Sequence, residues 1–186
     1  MNDDAQLTGC ALRAAHGDRS VAETLIRHTQ QSVWRMLAHL TSRDVAEDLA
    51  QETYARAFTA LPRFRGDSSA RTWLLAIARR VAADHLRQRR TRPTLVDTID
   101  WQRQAEQDQS RLPGLDESIA LQQAMRSLTI ERREAFVLTQ ITGLSYAEAA
   151  QVCGCRIGTI RSRVARARDD LCAALGTATG NDAATR

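Results

Sequence analysis

Apolar residues recur three and four apart along most of the chain, and no segment alternates apolar with polar over the length of a strand. That spacing predicts an all-α protein. Helices are expected at 4–16, 20–40, 44–61 and 69–90, and again at 116–128, 131–141, 145–152 and 157–175. Between the two groups the apolar period lapses over 93–117, where Pro93, Pro113 and Gly114 accumulate, as in a linker. The expected architecture is two small helical domains, an N-terminal bundle at 1–92 and a helix-turn-helix at 118–176. A flexible tether at 93–117 joins them, and a disordered tail follows at 177–186.

Charge sharpens this division. The net charge of +4 is modest, yet all 26 basic residues are arginine. Residues 1–92 hold 15 Arg against 10 acids, residues 93–117 hold 2 against 6, and residues 118–186 hold 9 against 6. Two basic blocks therefore flank an acidic linker, and arginine's planar fork suits phosphates and base edges. Hydrophobic residues are 43% and charged residues 26%, ordinary globular usage, and no run approaches the ~18 apolar residues that cross a bilayer. The first twenty residues lack the plan of an export signal, so the expected location is cytoplasmic, without membrane insertion. Four cysteines are too few for a disulfide scaffold and are expected to stay reduced.

The strongest chemical signal is 145–168. Ser145 with Glu148 three residues on is a capping box, and Gly154 supplies a permissive turn before a second helix, the layout of a helix-turn-helix. Stepping 100° per residue puts Ile157, Ile160, Val164 and Leu171 on a buried side. Thr159, Ser162 and Arg166 fall opposite, flanked by Arg161 and Arg163. From Arg156 to Arg168 there are five arginines and no acid, whereas a merely solvated helix mixes its charges. Arg168 falls nearer the buried edge, where it would act through phosphates.

Two further faces carry a pattern. In the helix at 69–90, Leu74, Ala78, Val81 and His85 form one stripe, with Leu75 and Ala82 beside it. Ala76, Arg80, Ala83 and Arg87 point away, and Trp73 sits at the edge of that polar face. Small residues between arginines admit a backbone or base, and an aromatic can stack on an unpaired base; a plain amphipathic helix with a basic end is the competing reading. In the helix expected to open at Asp44, with Glu47 as capping partner, Asp48, Gln51, Glu52 and Ala55 form a polar stripe opposite Ala46, Ala50 and Ala57. An acidic stripe on a basic domain does not suit DNA, so its partner would be protein.

These pieces occur in a telling order. Asp48-Leu-Ala-Gln-Glu-Thr53 is followed by Phe64-Arg-Gly-Asp67, then Arg71-Thr-Trp-Leu74 and Ile77-Ala-Arg79, then the acidic linker, then the run from Gly158 to Arg168. Across about residues 5–174 the chain resembles the extracytoplasmic function subfamily of bacterial RNA polymerase sigma factors, and 69–79 and 152–168 look like the sigma factor C group of mycobacteria and relatives. The resemblance implies that Asp48, Gln51 and Glu52 dock the β′ clamp of core RNA polymerase. It implies that the loop at 62–69 captures a flipped base of the −10 element, with Phe64, Arg65, Trp73, Arg80 and Arg87 as DNA contacts. It assigns −35 duplex reading to Arg156, Thr159, Arg161, Ser162, Arg163 and Arg166. The β flap, promoter DNA and an anti-sigma protein are the further partners it implies, and the acidic linker would imitate RNA phosphates in the polymerase cleft. Arg80 stands where many members carry Asn, Arg156 near a usual Pro or Glu, and Ala165 where a bulky residue is common, which leaves base preference open.

Cys153-Gly-Cys155 is a poor tetrahedral pair with no histidine nearby, so packing as small hydrophobes is expected rather than metal. His85 on its apolar stripe reads as a core residue with a satisfied ring. No phosphate-cradling loop or nucleophile elbow is present, so neither a cofactor nor an enzyme activity is expected. The runner-up function is an autonomous helix-turn-helix regulator whose N-terminal block dimerises or senses.

Overall fold

A computed structural model of the chain describes residues 3–16, 18, 22–91 and 115–181. Among them there is no strand, and eight α-helices account for most of the chain. The N-terminal block comprises α1 (Asp3–Ala15), α2 (Ala22–Leu40), α3 (Arg43–Ala60), a 3-10 turn at Leu61–Arg63 and α4 (Ala70–Thr91). The C-terminal block comprises α5 (Leu115–Ser127), α6 (Ile130–Phe136) running on through a π-helical turn at Val137–Ile141, α7 (Tyr146–Cys153) and α8 (Ile157–Asn181). Each expected helix is present. The last continues through Gly176 to Asn181, so 177–181 of the expected tail are helical, and 182–186 lie outside the described residues. Of the acidic linker, 93–114 lies outside the described residues and 115–117 open α5.

Period explains burial within each helix. In α2, Leu25, Thr29, Val33, Met36, Leu37 and Leu40 are buried, a single stripe at spacings of three and four. Each large aliphatic residue removed from water in this way contributes about 1.5–3 kcal/mol. The helix at 44–61 opens one residue earlier than expected, because Ser42, in extended conformation, rather than Asp44 holds the N-cap. Asp44 instead lies in the first turn, where an acid meets the positive end of the helix dipole.

The two blocks do not stand apart. Val33, Leu37, Leu74 and Leu75 of the first belong to the same buried core as Leu138, Ile160 and Val164 of the second. Polar groups cross the same seam. The Arg71 guanidinium donates to the Thr142 carbonyl, and Arg79 Nε lies 2.9 Å from Glu134 Oε2, an ion pair whose N–H is not aligned as a hydrogen bond. Arg71 and Arg79 are eight apart and so lie on one face of α4, and both reach partners in the C-terminal block. Glu134 is 5% exposed, and burial pushes its carboxyl pKa up despite Arg79.

Two packing expectations need correction. His85 is half-buried and its Nε2, though shielded from solvent, has no hydrogen-bond partner, because the apolar stripe around it offers no acceptor. Its pKa is lowered by burial and then by Arg89. Ile157, expected on the buried side of α8, is 44% exposed, since the first residue of that helix lies beyond the edge of the core. Cys153 and Cys155 pack against the core as expected, and burial pushes the Cys153 thiol up to about 11. No helix among the described residues is long and apolar enough to cross a membrane.

Candidate nucleic-acid and polymerase interfaces

The helix-turn-helix is built by local rules. Ser145 Oγ accepts from the Glu148 amide at 3.2 Å, and the Glu148 carboxylate accepts from the Ser145 amide at 2.8 Å, closing the capping box that starts α7. That carboxyl is held below its usual range, chiefly by the Ser145 hydroxyl. Gly154 ends α7 at φ 64°, ψ 39°, a left-handed conformation that a β-carbon disfavours. Arg156 then caps α8, its carbonyl accepting from the Thr159 and Ile160 amides. Ile160, Val164, Ala167 and Leu171 are buried, which fixes the helix's rotation about its axis.

Rotation so fixed presents Arg156, Arg161, Ser162 and Arg166 to solvent, with Thr159 half-buried beside them. Ser162 Oγ donates to the Thr159 carbonyl at 3.0 Å, which leaves its lone pairs to accept from a base amine or water. Arg163, expected to flank that face, is half-buried, and its charge opposes the burial that raises the Glu134 carboxyl pKa. Arg168 is exposed and donates to Gln140 Oε1 at 2.8 Å. The outward surface of α8 is therefore a cationic strip with forked donors and one small hydroxyl, the chemistry that reads base edges in a major groove.

On α4, Arg80 and Arg87 are exposed along one strip, with Ala76 and Ala83 half-buried between them. Trp73 lies half-buried at the strip's near end, its ring 5.0 Å from that of Phe64. Phe64 itself is 7% exposed, packed with Leu25, Leu61 and Ala70, which removes it from any surface a base can reach. An aromatic in a polar loop reads as a contact residue until packing shows where it points. Arg65, next to it, is exposed. A groove of about 550 Å³ beside Trp73 is lined by Glu52, Arg56, Thr59 and Arg63. Arg56 bridges Glu52 at 2.7 Å and Asp84 at 2.8 Å. Neither Arg56 nor Arg63 was singled out by the sequence, although Arg56 lies one turn beyond Glu52 on the same face of α3.

The acidic stripe is where it was expected. Asp48, Gln51, Glu52 and Ala55 are exposed on α3, opposite buried Ala46, Ala50 and Ala57. The structure adds an open groove of about 650 Å³ between α2 and α3, with Ile26, Trp34, Tyr54 and Phe58 along its walls and Gln51 at its edge. Tyr54 and Phe58 stack at 6.3 Å, and Tyr54 shares a 2.8 Å hydrogen bond with Thr29 that anchors the floor. An apolar groove with an acidic margin suits an amphipathic helix carrying basic residues.

Comparison with known families gives two matches in chain order, Sigma-70 region 2 over residues 25–92 and Sigma-70 region 4 over residues 118–171. The chain belongs to the sigma-70 family. It is an RNA polymerase sigma factor of the extracytoplasmic function subfamily, which displaces the autonomous-regulator reading because α2 to α4 match region 2. The chain is 49% identical over 178 residues to the ECF RNA polymerase sigma factor SigC of Mycobacterium tuberculosis, with 92% of each chain covered. Against the ECF RNA polymerase sigma-E factor of Escherichia coli the identity is 32%, covering 88% of this chain and 92% of that protein. Among solved structures, CnrH in complex with the cytosolic domain of CnrY matches with a TM-score of 0.71 at 25% identity, covering 90% of this chain and 96% of that one. The sigma factor RpoE in complex with the anti-sigma factor NepR from Bartonella quintana matches with a TM-score of 0.66 at 30% identity, covering 83% and 96%. In this sigma factor, region 2 and region 4 are the two blocks that share one core.

Proposed function

We propose that this sigma factor directs core RNA polymerase to its promoters through three separate surfaces. Asp48, Gln51 and Glu52, with the apolar groove beside them, receive the β′ clamp. Trp73, Arg80, Arg87 and the loop at 62–69 with Arg65 open and hold the −10 element. Arg156, Thr159, Arg161, Ser162 and Arg166 read the −35 element as duplex, with Arg163 at the flank of that face. The C-terminal block also meets the β flap, and the acidic linker lies in the polymerase cleft. The protein works in the cytoplasm as a specificity subunit with no chemistry, cofactor or metal of its own, and an anti-sigma protein is a further partner. Arg80, Arg156 and Ala165 set this chain's base preference apart from that of relatives with other residues there.

One observation carries the reading: an exposed acidic stripe bordering an apolar groove, on a block that is otherwise basic. Such a surface repels DNA and attracts a basic amphipathic partner. Reversing charge at Asp48 and Glu52 together should abolish co-purification with core polymerase and leave helix content by circular dichroism unchanged. Undiminished co-purification would overturn the assignment.

A further inference from the structure

α1 lies outside the region 2 match, which begins at residue 25, yet three contacts tie it to the loop between α3 and α4. The first amide of α4, on Ala70, donates to Thr8 Oγ1 at 3.0 Å, across 62 residues of sequence. Thr8 Oγ1 in turn donates to the Asp4 carbonyl at 2.7 Å, so the hydroxyl is held in place by its own helix. Ser69 caps a different amide, its Oγ accepting from Thr72 N at 3.1 Å. The N-terminal amides of a helix have no partner within it, and here one of them is met by a side chain from a separate helix.

Packing repeats the link. Leu7 and Ala11 of α1 are buried with Leu25, Leu61, Phe64 and Ala70 in a small core distinct from the main one. Gly66 has φ 77°, and a β-carbon built there would touch the Leu12 side chain at 3.5 Å, so Leu12 rests directly on the loop backbone. The loop is thereby gripped at its start (Leu61, Phe64), its middle (Gly66) and its end (Ala70), while Pro62, Arg63, Arg65 and Asp67 stay exposed on its outer side.

We infer that α1 is a positioning element for base selection at the −10 element, with Thr8 and Leu12 holding the 62–69 loop in the conformation that accepts one base over others. The inference rests on the reading of that loop as the site of base capture. Capture of an unpaired base needs donors and walls placed before the base arrives, and a loop of this length has no internal ladder to place them. α1 supplies the missing wall from behind.

The test uses holoenzyme reconstituted with the full chain, and promoters in which each −10 position carries the four bases in turn. Wild-type protein gives a spread of open-complex rates between best and worst base. Thr8→Val keeps the branched shape and removes the hydroxyl; Leu12→Ala removes the contact with Gly66. Each should narrow the spread, Thr8→Val by about fivefold, the factor one lost hydrogen bond represents. Thr8→Ser should restore it, and −35 duplex binding and core association should not change. Should Thr8→Val not fold, Leu12→Ala decides. A uniform fall on all four bases, or no change, overturns the inference, because lost stability alone lowers every promoter alike. Arg65→Ala tests the underlying reading separately: if it leaves the spread intact, the loop does not select bases, whatever the α1 variants do.

Discussion

The recognition helix α8 takes its hold from one side. Its buried stripe of Ile160, Val164, Ala167 and Leu171 sits in the core, its start is capped by neighbours in sequence, and its arginine strip faces water. The other helix proposed to meet DNA, α4, is held on three sides. Thr8 caps it from α1, Leu74, Leu75 and Ala78 are buried in the shared core, and Arg71 and Arg79 reach the C-terminal block. Only the strip of Trp73, Arg80 and Arg87 is left. The contrast follows from the two tasks. Reading an intact groove needs a rigid helix with the right face outward, which local capping and one apolar stripe provide. Holding a base that has left its partner needs walls from several elements, and the helix proposed for that task is the embedded one.

Embedding makes α4 the sensitive member of the pair. Replacing Glu134 with Ala leaves the Arg79 charge at the seam without its counter-ion, and breaking a buried pair from one side costs about 3 kcal/mol. Arg79 keeps 30% side-chain exposure, which places the cost toward the lower end of such losses. The expected result is a lower denaturant midpoint together with a larger scattering radius as the blocks part. An unchanged radius would mean that the shared apolar core alone keeps them closed.

A matching change on α8 should leave the fold untouched. Arg166 is exposed, so Arg166→Ala should not move the melting temperature. Duplex binding at the −35 element should weaken by about 1–3 kcal/mol if the guanidinium reads a base bidentately. A titration against cognate and base-substituted duplexes checks this, because loss of a phosphate contact weakens both equally. Stability loss in this variant would erase the distinction between the two helices.

How much of this was legible depends on whether the determinant was local. The capping box at Ser145, the left-handed turn at Gly154 and the stripe of Ile160, Val164 and Leu171 follow from residues within one or two turns, and all are present. Ser42 and Asp44 are both good capping residues, so sequence could not decide between them; the extended backbone at Ser42 does. That Arg71 and Arg79 tie α4 to the other block could not be read locally, because their partners Thr142 and Glu134 lie far along the chain. Phe64 packs in the small core, and Trp34 and Tyr54, on which the sequence pattern was silent, line a groove: an aromatic is equally at home in a core, on a groove wall or against a base, and only the tertiary partners distinguish these.

The smallest expected effect concerns pH, and the half-buried histidines and Glu134 enter it with opposite signs. All four histidines lie in residues 1–92. His39, in the last turn of α2, has its pKa lowered from 6.5 by burial and then by Arg43 and Arg35. His85 is lowered by burial and then by Arg89. A histidine whose folded pKa is depressed binds its proton more readily in the unfolded chain. Its contribution to stability is therefore complete above about 6.5 and is lost as pH falls through the lowered value. Glu134, at the seam, has its pKa raised from 4.5 by burial, so its contribution is present at low pH and lost as pH rises through the raised value. Mild acid should thus loosen the surroundings of His39 and His85 while favouring the burial of Glu134. Hydrogen exchange resolved by residue between pH 7 and about 5.5 should show protection falling first around His39 at the end of α2, which shares a pocket with Gln122, Met125 and Arg126, and around His85 in α4. His39→Gln and His85→Gln, which cannot take up a proton, should flatten that loss. Earlier loss of protection in α7 and α8 would mean that acid acts on the C-terminal block, and the difference in how the two helices are held would not extend to their titration.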